Sequence, residues 1–85
     1  MRGVLLYKAD MRGAHLCKTD MRQADLTRAD LKLADCNRMR IDSARLQSTS
    51  LKGAKNLTQA QIDSAEGNSE TILPDGLVRP SHWED

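Results

Sequence analysis

The stretch Ala24 to Arg38 reads ADLTRADLKLADCNR, in which a small, an acidic and an apolar residue recur in that order at intervals of five. An α-helix repeats about every 3.6 residues and a strand every two, so neither can hold Leu26, Leu31 and Cys36 on one side. Within each unit, a small, a polar, an apolar and a polar residue alternate as in a short strand. The fifth residue breaks the alternation. The pattern therefore predicts short strands joined by corners and wound into a coil whose successive turns pair.

The same pattern continues on both sides of this stretch. Ten apolar centres follow one another at intervals of five: Leu6, Met11, Leu16, Met21, Leu26, Leu31, Cys36, Ile41, Leu46 and Leu51. The residue two places before each centre is small in most units, with Val4 and Met39 as the larger exceptions. We expect the centres and the small residues to point inward and to form the core.

In these units the chain resembles the pentapeptide-repeat family, whose pattern is A(D/N)Lxx. Residues 24–26 and 29–31 match that pattern fully, and the match covers Val4 to Gly53. The resemblance implies an all-β solenoid, a right-handed quadrilateral β-helix with four units to a coil, so that residues twenty apart stack. Ten units would then make about two and a half coils. The residues alone predict strand, corner and period, while the number of sides comes from the resemblance.

The pattern stops at Gly53, because the next centre falls on the polar Asn56. Thr58 and Gln61 have the spacing of a capping box and predict the start of a helix, and Gly67 is predicted to end it. We expect this helix to cover the open last coil. The sequence thus divides into repeats (1–53), a C-terminal capping helix (54–67) and an extended tail (68–85).

The tail is polar except for a few apolar residues around a turn signal, Pro74-Asp75-Gly76. It resembles the ends of many bacterial pentapeptide-repeat proteins. We expect its apolar residues to pack against the coil: Ile72, Leu73, Leu77, Val78 and Trp83.

Charged side chains occupy outward positions. Five aspartates stand directly before a centre, where a carboxylate can accept hydrogen bonds from the backbone of the turn: Asp10, Asp20, Asp25, Asp30 and Asp35. With twenty residues to a coil, Arg12, Lys32 and Lys52 form a basic column, a candidate strip for a phosphate or an acidic partner. Because Asp10 and Asp30 flank the column, we expect them to offset its charge.

The composition favours no catalytic or metal site. His15 and Cys17 emerge on one face and Asp35 is expected beside His15, but this spacing is only a weak zinc pattern. Cys36 is expected to be a buried thiol, and its direction opposite to Cys17 argues against a disulfide. We therefore predict no enzyme activity, no catalytic residues, no cofactor and no metal.

The first coil is predicted to carry the interaction site. No cap precedes it in the sequence, and apolar residues cluster there: Met1, Val4, Leu5, Leu6 and Tyr7. An uncovered edge would expose unpaired N–H and C=O groups, which natural sheets usually avoid. Two and a half coils are also few for a solenoid, so either a partner extends the stack or the chain lacks an upstream part.

The function expected from these features is that of a non-catalytic scaffold or adaptor, which binds another protein or forms a homodimer through the N-terminal edge. The chain has 85 residues and a net charge of +1, and the lack of a basic excess argues against a nucleic-acid partner. A membrane span and a signal pattern are both lacking, and a cytoplasmic location is expected. The resemblance also implies an alternative, a DNA mimic that regulates a type II topoisomerase, which the short length and near-neutral charge disfavour.

Overall fold

The computed structural model describes residues 3–83, and its backbone is a coil in which residues twenty apart lie side by side. Parallel bridges join Leu5 to Asp25 and Asp25 to Arg45, and three further columns of bridges start at Asp10, His15 and Asp20. Four columns at intervals of five give each coil four sides. Each side is short, with a single bridged residue between two turns.

A β-turn forms each corner. The carbonyl of each centre accepts a hydrogen bond from the N–H three residues later, as between Ala29 and Leu26 at 2.9 Å. The second residue after the centre has a positive φ, for example 62° at Arg28 and 63° at Leu33, as in a type II turn. Glycine takes this conformation most readily, but at most corners the chain uses other residues. The tight turn therefore follows from the pairing of the coils as much as from local preference.

The predicted role of the aspartates in the turns is confirmed. In each case the carboxylate accepts a hydrogen bond from the backbone N–H two residues later, as between Asp25 and Thr27 at 3.0 Å. The other four make the same contact: Asp10, Asp20, Asp30 and Asp35. The acidic residue of the repeat thus stabilises the corner that follows it.

The core consists of the inward ladders. The centres from Leu16 to Leu51 are buried, and so are the small residues from Ala24 to Ala54. Met39 fits in a small position and is buried with the rest. Thr49 is also buried, and its hydroxyl donates a hydrogen bond of 2.6 Å to the Leu26 carbonyl. On the first coil, Val4 and Leu6 are only partly buried.

Helix α1 spans Gln59–Ser64 and is the only helix among residues 3–83. The predicted capping box is confirmed, because Thr58 and Gln61 each accept a hydrogen bond from the other's backbone N–H. The predicted stop at Gly67 is wrong. The helix ends earlier because Ala65 is already extended, and the next residue, Glu66, donates its N–H to the Ala44 carbonyl at 2.8 Å.

Backbone pairing continues beyond Gly53, where the sequence pattern predicted that the coil would stop. Lys55 is bridged to Asp35, Glu66 to Arg45 and Ile72 to Ser50. Residues 65–67 therefore form a further side above residues 44–46, and residues 71–73 form one above residues 49–51. The hydroxyl of Thr71 donates to the Leu46 carbonyl at 2.6 Å, repeating the contact of Thr49 one coil earlier.

The apolar tail residues divide into two groups. Trp83 is buried, and Leu73 and Leu77 pack against the core, as expected. Ile72 and Val78 are 50% and 72% exposed, so their predicted packing is wrong. Ile72 lies at the outward, bridged position of its side, while the backbone of Val78 is bound by the Gln59 amide at 2.8 and 2.9 Å, which leaves its side chain in solvent.

Candidate protein-interaction edge

The first coil has backbone groups that face away from the rest of the molecule. In the second coil, Asp25 donates its N–H to Val4 at 2.9 Å and accepts from Leu6 N–H at 2.8 Å. One coil earlier, the equivalent N–H and C=O of Leu5 point to the opposite side, and neither has a hydrogen-bond partner among residues 3–83. The same holds for Asp10 and His15 on the next two sides. We call these three sides, residues 5, 10 and 15 with their flanking turns, the first-coil edge.

Apolar side chains lie beside this edge at one corner. Leu5 is 80% exposed and Tyr7 is 51% exposed, in agreement with their predicted outward direction. The ammonium group of Lys8 lies 5.3 Å from the centre of the Tyr7 ring, within range of a cation–π contact. Val4 and Leu6 point inward but are only half covered. Met1, the remaining candidate, lies outside the described residues.

The opposite end of the coil is covered by α1 and the tail. The amide of Gln61 donates to the carbonyls of Cys36 and Met39 at 3.0 and 2.8 Å. The indole N–H of Trp83 donates to the Ala65 carbonyl at 2.7 Å. The Met39 and Ala65 carbonyls thereby receive donors in place of the backbone N–H groups that a further coil would have supplied. Side chains thus bind carbonyls at this end, whereas no side chain of residues 3–83 binds the unpaired N–H and C=O groups of the first-coil edge.

The basic column is largely neutralised by the aspartates beside it. The Arg12 guanidinium binds both carboxylate oxygens of Asp10 at 2.9 Å, and the Lys32 ammonium lies 3.7 Å from Asp30. The hydrogen bonds from Arg12 lower the pKa of Asp10, and the same contact raises the pKa of Arg12. Lys52 has no ion pair within the described range of the chain. The column thus consists of local ion pairs at Arg12 and Lys32, followed at its end by a lysine that is unpaired among residues 3–83.

The residues with metal-binding potential do not assemble into a site. Cys17 is exposed, and the neighbouring Asp35 carboxylate raises the pKa of its thiol. The pKa of the Asp35 carboxyl is lowered first by the Asn56 side chain and then by Cys17. Asn56 also donates to Asp35 at 3.1 Å. Burial raises the pKa of Cys36 to about 11. Among residues 3–83, no group of three or more metal-ligating side chains comes together.

The described surface contains no pocket, and in this part of the chain no helix has the length and apolar character needed to cross a membrane. The sequence placed the interaction site at residues 1–7 only. The structure extends the free edge to Asp10 and His15, because the sides at these residues repeat the backbone geometry of the side at Leu5. The period of twenty is the sequence signal that could have located these further positions.

The family profile for pentapeptide repeats matches residues 1–32 and 19–55, with eight copies of the repeat. More than half of the chain is covered, and the chain belongs to the pentapeptide-repeat family. Members of this family are known to form a right-handed quadrilateral β-helix and are generally non-enzymatic structural or interaction modules. No curated protein and no solved structure matches the sequence.

Proposed function

We propose that this chain is a non-catalytic scaffold or adaptor that binds a protein partner through the first-coil edge. The right-handed sense of the coil, a cytoplasmic location and the lack of catalytic residues, cofactor and metal are parts of the same proposal. The main support is the row of unpaired backbone groups at Leu5, Asp10 and His15. A partner that supplies the edge of a β-structure would satisfy those groups, as in the addition of a strand to a sheet.

The apolar residues beside the edge support the same function. Leu5 and Tyr7 lie on one corner of the first coil and are both exposed. Covering them would contribute about 25 cal/mol per Å² of apolar surface removed from water. Hydrogen bonds along the edge would fix the register of the partner, and the apolar corner would add affinity.

The proposal is tested by retention of partners on the immobilised chain. The test variant is Leu5→Lys with Tyr7→Lys, which places two charges beside the edge. The matched control is Leu33→Lys with Val78→Lys, since Leu33 and Val78 are also exposed apolar residues but lie on the second coil and in the tail. The proposal expects a partner that is retained by the wild-type chain and by the control and lost by the test variant. Equal retention by all three proteins would reject the edge as the binding site.

A further inference from the structure

We propose that the partner at the first-coil edge is a second copy of this chain, stacked head to head; this rests on the proposed function and names the occupant of its site. The unpaired groups lie on three successive sides of one coil, at Leu5, Asp10 and His15. A single added strand can pair with one side only. An occupant that pairs with all three must itself be a coil of the same width, with a short side every five residues.

This chain has such a coil. Its last coil is covered by α1 and the tail, where Gln61 and Trp83 bind the carbonyls of that end. A second copy therefore offers its first coil as the matching surface. The first coils of the two copies would then face each other across a two-fold axis. This arrangement pairs the edge of one copy with the same edge of the other and leaves neither exposed. Because both coils have the same hand, the two chains run antiparallel at the contact, an arrangement in which N–H and C=O groups pair readily.

The contact between the two copies would be small. The molecule measures 27 × 24 × 20 Å, so an end face is on the order of 500 Å² and a pair buries roughly 1,000 Å² in total, at the lower limit for a specific interface. Such a pair is expected to form at high protein concentration and to dissociate on dilution. Backbone hydrogen bonds on three sides, rather than a large apolar area, hold it together.

The discriminating variant is His15→Pro, with His15→Ala as its matched control. The pairing of this side with the second coil uses Leu16 N–H and the Ala14 carbonyl, both bonded to Asp35 at 2.9 Å. The N–H of His15 takes no part in it. Proline removes that N–H and places a ring on the edge, whereas alanine keeps the donor and removes the same imidazole.

Light scattering over a range of concentrations measures the result. Wild-type chain and His15→Ala are expected to approach twice the monomer mass of 9.5 kDa at high concentration, while His15→Pro stays monomeric. Thermal melts of dilute samples show whether the proline variant is folded. If it is not, the Leu5→Lys, Tyr7→Lys variant replaces it and is also expected to be monomeric. In the wild type, protection of the His15 amide from hydrogen exchange should rise with concentration.

Three results would overturn the self-pairing. One is a wild-type chain that is monomeric at all concentrations but binds a different protein, and that loses this protein when Leu5 and Tyr7 are changed to lysine. The proposed function would then stand, and only the self-pairing would be rejected. Another is a dimer that His15→Pro and the double lysine variant leave intact. The third is a natural polypeptide longer than the printed sequence, whose own upstream coil covers the edge. A monomer with no edge-dependent partner would reject both proposals.

Discussion

The ring of Trp83 lies directly over Gly67, so closely that a Cβ on this glycine would be only 2.5 Å from the ring atom Cε3. Gly67 follows the bridged residue Glu66 and is therefore at the centre position of its side, above Leu46. Every earlier centre in that column is a leucine. The indole thus takes the space that a centre side chain would fill, and one tail residue closes the column.

Gly67→Ala should displace the Trp83 ring. Its φ lies outside the left-handed region, so the substitution acts through space alone, and such overpacking lowers the free energy of unfolding by about 1–3 kcal/mol. The measurement is denaturant unfolding followed by Trp83 fluorescence, whose emission should shift to longer wavelength in the folded variant as the ring becomes wetter.

Gly13→Ala is the control for that change. A Cβ at Gly13 meets nothing within 4 Å, but the residue has a φ of +67°, so any loss of stability comes from the backbone. Its native fluorescence should equal that of the wild type. Native emission at the same wavelength in both variants would contradict the role assigned to Gly67.

Leu26→Lys should unfold the coil, because Leu26 is fully buried and an unpaired buried ammonium costs several kcal/mol, a large part of the stability of a small domain. Gln23→Lys is the control. Gln23 is exposed and has a φ of 62°, a conformation that lysine already takes at Lys8 and Lys18. Circular dichroism melts should show a loss of the transition in the first variant only. Similar melting temperatures would disprove the inward assignment of the centres.

The turn aspartates should make stability fall in acid. Hydrogen bonds from Arg12, Arg22 and Thr27 lower the pKa of Asp10, Asp20 and Asp25 below the ordinary value of 3.8. Each depressed pKa stabilises the folded state fully above the unfolded value, and this contribution is lost as the pH falls through the folded value. The free energy of unfolding should therefore decline as the pH is lowered below about 4.

Asp20→Asn provides the comparison for the acid effect. It keeps an oxygen that can accept the Arg22 N–H but removes the titrating charge, so its unfolding free energy should fall less steeply than that of the wild type over the same pH range. Because the Asp20 carboxylate is partly exposed to solvent, the difference should shrink in high salt. A stability that is constant or rises in acid would contradict the proposed role of these residues.

The two cysteines should differ in reactivity. Cys17 is exposed and Cys36 is buried, and burial raises the pKa of Cys36 to about 11. A thiol reagent should therefore modify one cysteine per chain in the native protein and two after unfolding, with peptide mapping assigning the first to Cys17. Because the neighbouring Asp35 carboxylate raises the pKa of Cys17, Asp35→Asn should speed its modification. Rapid labelling of Cys36 in the native state would show that the core is open.

The period of five was enough to predict the coil, the inward centres and the use of aspartates in the turns, because each depends on residues within one unit. The sides at residues 65–67 and 71–73 were missed for a physical reason. Helix α1 breaks the spacing, so that Arg45 pairs with Glu66 at an interval of twenty-one. Gly67 also has no side chain at the centre position of its side, and the ring of Trp83, from further along the chain, occupies that space. No local sequence pattern predicts that a residue of the tail occupies a centre position.

The first-coil edge was predicted only in part. Leu5 and Tyr7 are conspicuous because apolar residues are unexpected at outward positions. Asp10 and His15 have ordinary polar side chains, and their importance lies in the direction of their N–H and C=O groups. Backbone direction follows from the way the coils stack and is not encoded in the identity of either residue.

The interval of twenty that separates bridged residues also determines how a chain of this kind can change length during evolution. We call α1 and the tail, which cover the last coil, the C-terminal lid. Duplication of twenty residues would add one full coil and leave this lid above the same side, with all existing contacts repeated. Duplication of five residues would preserve the repeat and still rotate the lid by a quarter turn, so that Trp83 would face a different column. Lineages that keep the same lid should therefore differ by whole coils, whereas those that differ by single units must have rebuilt it.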